Sequence, residues 1–91
     1  MAAKNKLKGL WIPLDILQTY ELSASEKLVL AVIIGLSKEG QCIASNQYIA
    51  DVVGLSVDWV KKIIPKLERK EYIRAKKYRD EKKMIRRVIY T

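Results

Sequence analysis

In "IASNQYIADVVGLSVDWVKKIIPKLERK" two segments with apolar residues at helical spacing are separated only by Gly54-Leu55-Ser56. Helices joined by so short a link must turn sharply and share one core, which removes most folds at the outset. Ser45 suits the N-cap of a helix over residues 46–53, with Ile49, Val52 and Val53 on one face and Ala50 small where another helix can cross. Gly54 supplies the tight turn and Ser56 caps the next helix. There Val60, Ile63, Ile64 and Leu67 fall at i, i+3, i+4 and i+7, one stripe facing the core. At about 100° per residue the opposite face carries Asp58, Lys62, Pro65 and Arg69, flanked by Lys61 and Lys66. Pro65 frees the Lys61 carbonyl, at a cost of roughly 3 kcal/mol in an exposed helix interior. It either curves the helix, shortens the part that can read bases, or is a surface kink without a role.

Upstream, "LWIPLDILQTY" places Pro13 in the first turn of a short helix with Ile16, Leu17 and Tyr20 on its apolar side, a lid on the core. Trp11 reads as a core plug before a partner anchor. Ser23 and Glu26 have capping-box spacing, so a helix starts there and runs apolar nearly all round through residues 28–36. That makes it the central buried helix, with a strand left as the lesser alternative by its β-branched content, and Gly40 suits its C-cap. "QCIAS" is a single extended stretch. Downstream, the mixture of aromatic, β-branched and basic residues around Asp80-Glu81-Lys82-Lys83 predicts a β-hairpin over 72–79 and 84–91. Because Lys76-Lys77 and Arg86-Arg87 are adjacent, one of each pair must point toward the covered face or sit past its edge. The expected core is Leu28, Val32, Ile49, Val53, Val60, Ile64 and Leu67.

Composition narrows the chemistry. At 91 residues a single domain with a modest core is expected. The lone Cys42 forms no internal disulfide, and with no histidine the chain can build neither a His-based triad nor a His/Cys zinc site. The carboxylates are scattered, so neither catalysis nor a metal or other cofactor is expected. The apolar run at 28–36 is about half a membrane span of roughly 20 residues, and the start lacks the apolar core of a secretory signal, which predicts a cytoplasmic protein without membrane association. The net charge of +8 is segregated: residues 61–91 hold thirteen basic and four acidic residues, whereas 9–60 hold two basic and six acidic ones. Such polarity suits a polyanionic partner, nucleic acid before anionic membrane, although a solvated lysine-rich surface gives the same charge run.

The element order of helix, helix, short strand, helix, turn, helix and basic hairpin resembles a winged helix-turn-helix domain of α+β class. Counting from Asn46, the motif's apolar, Ala, Gly, apolar and apolar positions are met by Ile49, Ala50, Gly54, Val60 and Ile63. The stretch from Trp11 onward is similar to domains near the N-termini of phage and plasmid replication proteins and in bacterial transcription regulators. The resemblance covers residues 10–91 as one domain and leaves a basic arm at 1–9. It implies that the second motif helix enters the major groove while the hairpin, the wing, lies along the backbone or minor groove. Two positions depart from the family pattern: Pro65 where a polar residue is usual, and Glu71 where a glycine is usual.

The candidate DNA contacts are Ser45, Asn46, Gln47, Ser56, Asp58, Lys61, Lys62, Lys66, Arg69, Lys76, Lys77, Arg79, Lys82, Lys83, Arg86 and Arg87. Lysine donates to guanine O6 and N7, and Asp58 either accepts from a cytosine amine or favours its helix N-terminus. With Tyr78 among the hairpin cations, stacking on single strands stays open beside duplex binding, as does half-buried packing or stacking for Trp59. The expected function is DNA binding in replication initiation or transcription regulation of a phage or plasmid. The alternative is a winged-helix module that docks a replication or other nucleic-acid-processing partner, and a protein partner or homodimer fits either role.

Overall fold

The computed structural model describes residues 9–37 and 39–91, so the arm expected at 1–9 lies outside the described residues except for Gly9. Its elements are α1 (Leu14–Gln18), α2 (Ala24–Leu36), β1 (Gln41–Cys42), α3 (Asn46–Val53), α4 (Val57–Arg69), β2 (Arg74–Arg79) and β3 (Ile85–Tyr90). The strands form one antiparallel sheet in the order β1-β3-β2. The α+β winged helix-turn-helix fold expected from the sequence is present. β2 starts two residues inside its expected limit and ends at it, and β3 is one residue shorter than expected at each end.

Each of α2, α3 and α4 starts where a side chain satisfies its free amides. Ser23 Oγ accepts from the Glu26 amide at 3.2 Å, while Glu26 Oε1 accepts from the Ser23 amide at 2.7 Å, completing the capping box of α2. Ser45 and Ser56 do the same singly for α3 and α4, accepting from the Tyr48 and Trp59 amides. Glu26 is 5% exposed and sits 3.3 Å from Lys70 Nζ just past the end of α4, so one carboxylate both starts α2 and ties down α4. The Ser23 amide holds the Glu26 carboxyl below its usual range, with Lys70 adding to the effect and burial opposing it. Lys27 Nζ donates to the Leu17 carbonyl at 2.6 Å, fastening α1 to α2.

The core lies between the three long helices and the sheet. Val60, Ile63, Ile64 and Leu67 of α4 cluster with Val29, Leu30, Val32 and Ile33 of α2, Ile49 and Ala50 of α3, and Cys42, Ile73 and Ile89. Of the expected core, Val32, Ile49, Val60, Ile64 and Leu67 are buried and Val53 packs at the margin. Leu28 is a correction: at 38% exposed it shares with Ala24 and Gly35 the stripe of α2 that the other elements leave uncovered. The α1 lid is smaller than expected as well. Its five residues bring only Ile16 onto the core, while Leu17 and Tyr20 face solvent and Trp11, expected as a plug, stands 75% exposed.

The helix ends differ in instructive ways. Ser37, not Gly40, closes α2, its hydroxyl donating to the Ile33 carbonyl at 2.6 Å and its amide to Ile34. Gly40 has its expected positive φ of 78°, but in the turn leading to β1. Gly54, at φ 74°, closes α3, where the amides of Gly54 and Leu55 both reach the Ala50 carbonyl. At the end of α4 the Tyr72 amide bonds Leu67 O and the Glu71 amide bonds Glu68 O, a Schellman motif with Glu71 at φ 65°. That position takes a left-handed residue, which is why a glycine is usual there and why Glu71 is strained. Pro65 lies on the exposed side of α4, which continues past it to Arg69.

Two stability outcomes follow. Ile64→Ala removes a buried side chain from the middle of the core and should lower the unfolding free energy by about 2–5 kcal/mol in urea titrations. Glu71→Gly should raise it by about 1 kcal/mol, the relief of left-handed strain less the greater freedom of glycine in the unfolded chain. A thermal midpoint that drops on that change would show the backbone at Glu71 is not left-handed.

Candidate nucleic-acid interface

The turn between α3 and α4 leaves one side of α4 uncovered. Along it Asp58, Lys61, Lys62, Pro65, Lys66 and Arg69 are all exposed, opposite the buried stripe that fixes the helix's rotation. Among the described residues the ion pairs are Lys70–Glu26 and Arg86–Asp80, so these four cations have no carboxylate partner. Asp58 lies in the first turn of α4, where a negative side chain favours the helix dipole. Trp59 is 46% exposed and lines a shallow cleft with Ser23, Glu26, Ile63 and Lys66, a half-buried flank of the stripe.

The other expected contacts at the motif are engaged within the protein. Ser45 and Ser56 spend a lone pair each on capping. Gln47 Nε2 donates to Asp51 Oδ1 at 2.8 Å, and Asn46 Oδ1 accepts from Arg87 Nη1 at 2.6 Å. Arg87 also donates through Nη2 to the Ala44 carbonyl at 2.9 Å, so one half-buried guanidinium clamps β3 to the start of α3. Asn46 and Arg87 were both expected at the interface, but their pairing was not. The signal available was the adjacency of Arg86 and Arg87, which forces one of them inward.

Register settles which one. Ala75 pairs with Ile89, Lys77 with Arg87 and Arg79 with Ile85, and the buried Ile89 marks this set as the helix-facing side of the wing. Lys76, paired with Val88, and Tyr78, paired with Arg86, lie on the other side with Arg74. Lys77 therefore shares Arg87's side but lies where the helices no longer cover it, and it is exposed. Cys42, sealed between β3 and the helices, has its thiol pushed up by burial and is a packing residue.

At the far end of strands about 20 Å long, the wing tip is built on Asp80. Its Oδ1 accepts from the amides of Lys82 at 3.0 Å and Met84 at 2.9 Å, and its Oδ2 accepts from Arg86 Nε at 3.0 Å. The Lys83 amide bonds Asp80 O, with Lys83 at φ 60°. Lys82 and Lys83 are thereby held at the tip, exposed. Aspartate at the start of a turn bonds its own backbone further on, and this was the readable sign of the tip's organiser.

Arg86, with the Met84 amide behind it, holds the Asp80 carboxyl below the ordinary 3.8. A depressed folded value means the tip's order is fully present above pH 3.8 and is lost as pH falls through the lower folded value. In an NMR titration the Lys82 and Met84 amide shifts should therefore move with a common midpoint below 3.8. A midpoint at or above it would mean the carboxylate does not hold the tip.

A family model described as a helix-turn-helix domain matches residues 20–73, from just ahead of α2 through α4 to the residue before β2. No curated protein and no solved structure matches the chain. No helix among the described residues is long and apolar enough to cross a membrane.

Proposed function

From the premise that this chain belongs to the helix-turn-helix domain family, we propose that it binds duplex DNA with α4 in the major groove and the wing on the flanking backbone. The observation that carries this reading is the row of Lys61, Lys62, Lys66 and Arg69, without an ion-pair partner among the described residues, on the exposed side of the second motif helix. Uncompensated cations on that helix raise the local phosphate concentration and are free to donate to guanine edges. The basic wing adds phosphate contacts that carry no sequence information. The role is binding without catalysis, in the cytoplasm. Its setting is replication initiation or transcription regulation in a phage or plasmid, supported by the likeness of the chain from Trp11 onward to domains of that kind. Asn46 and Arg87 act in this reading by fixing the wing against α3 rather than by touching DNA.

Division of labour between α4 and the wing is testable. Lys62→Ala should weaken the preferred site by about 1–3 kcal/mol and compress the ratio between specific and random DNA. Changing Lys82 and Lys83 to Ala should weaken all duplexes alike and lower the salt slope by about one per lost phosphate contact, leaving sequence preference intact. Anisotropy titrations of both variants, on a duplex enriched from a random pool and on random DNA at several salt concentrations, separate the two. If Lys62→Ala lowers both affinities equally and the wing variant erases discrimination, the wing is the reader. Failure to enrich any duplex would favour a module that docks a protein partner.

A further inference from the structure

The wing tip carries more than charge. Met84 and Ile85 are 57% and 66% exposed, whereas Val88 and Ile89 further along the same strand are buried. Two large aliphatic side chains thus stand in water at the part of the hairpin farthest from the core. Around them the sequence sets Arg79, Lys82, Lys83 and Arg86, and the nearest carboxylates are Asp80, spent on the turn and on Arg86, and Glu81. An apolar tip in a cationic ring is complementary to a surface that is anionic at its rim and apolar within. The minor groove of DNA has that character, with phosphates along both walls and stacked bases between them.

We propose that the wing tip is a wedge: Met84 enters the minor groove of duplex DNA and partly unstacks one base step, kinking the duplex, while Ile85, on the helix-facing side of the hairpin, lines the flank of the wedge. The proposal rests on the DNA-binding reading above and adds to it a deformation of the DNA. Methionine and isoleucine are among the apolar residues that act as wedges in minor-groove binding, where unstacking is offset by the additional surface that bent DNA meets. The tip is built in advance for the task. Asp80 fixes the amides on either side of Lys83, and the left-handed Lys83 turns the chain so that Met84 follows directly on the two lysines. A loop already ordered loses little freedom on insertion. Pyrimidine–purine steps unstack most readily, so sequence preference extends to a TA or CA/TG step that no side chain hydrogen-bonds.

The test uses the full chain and a duplex enriched by it, labelled at both ends for energy transfer and carrying 2-aminopurine at successive positions of the flanking minor groove. Binding of the wild type should raise transfer and brighten 2-aminopurine at one step. Met84→Ser with Ile85→Thr should abolish both signals while keeping the salt slope, with affinity reduced about tenfold or less. Met84→Ala alone should diminish them, with a circular dichroism spectrum like the wild type's. A wild-type complex whose duplex stays straight and stacked would overturn the wedge and leave DNA binding standing, and so would a bend that survives the double change. Absence of duplex binding by the wild type at low salt would instead remove the reading on which the wedge rests.

Discussion

A helix with hardly a polar side chain between its second turn and its end has to be covered on nearly every side, and α2 dictates the rest of this small fold. Burying Val29 through Ile33 takes α3, α4 and the sheet together, since no single element covers so wide an arc. The order in which the chain supplies those covers leaves α4 packed by one stripe alone. Its other side is left to solvent, and that is where four of the chain's cations stand. The geometry of the exposed side of α4 is thus a by-product of hydrophobic burial, with Glu26 and Lys70 locking the start of α2 to the end of α4.

Much of this was legible in the chain because it depends on near neighbours. Capping serines three residues ahead of their amides, a glycine between two short helices, and the i, i+3, i+4, i+7 stripe of α4 all act within one or two helical turns, and each was found where the residues placed it. What escaped depends on partners distant in sequence. Nothing near Leu28 says which stripe of an all-apolar helix stays uncovered; that is decided by where α3, α4 and β3 arrive. The one miss of local origin is the end of α2, where Ser37 displaced Gly40 because its hydroxyl could reach back to Ile33, an event that a glycine-based rule overlooks. The Arg87–Asn46 clamp spans forty-one residues, and only the hairpin register brings its ends together.

The candidate contacts divide by what already holds them. On α4, Lys61, Lys62, Lys66 and Arg69 have no ion-pair partner among the described residues, so their charge is available to an incoming polyanion without first breaking such a bond. At the start of α3 the polar groups are committed to caps and to Arg87, and their contribution is rigidity between wing and helix. Between these stands the tip, where Asp80 uses one carboxylate to shape a loop whose neighbours are nearly all positive. A net charge of +8 spread evenly over the surface would give only a diffuse attraction. Concentrated on a helix side and a hairpin of fixed relative position, it gives an orientation.

The strand order has a consequence for how such a surface is studied. With β3 in the middle, β1 and β2 are the sheet's two edges, and a bare edge invites pairing with a second chain. At two residues β1 is too short to serve as a template. The six-residue β2 is long enough, and electrostatic repulsion among Arg74, Lys76, Lys77 and Arg79 opposes the approach of two such edges. Resistance to edge pairing and the positive charge offered to a polyanion are therefore drawn from the same side chains. Neutralising them together to abolish nucleic-acid binding would also uncover an adhesive strand, and precipitation would then imitate a loss of function.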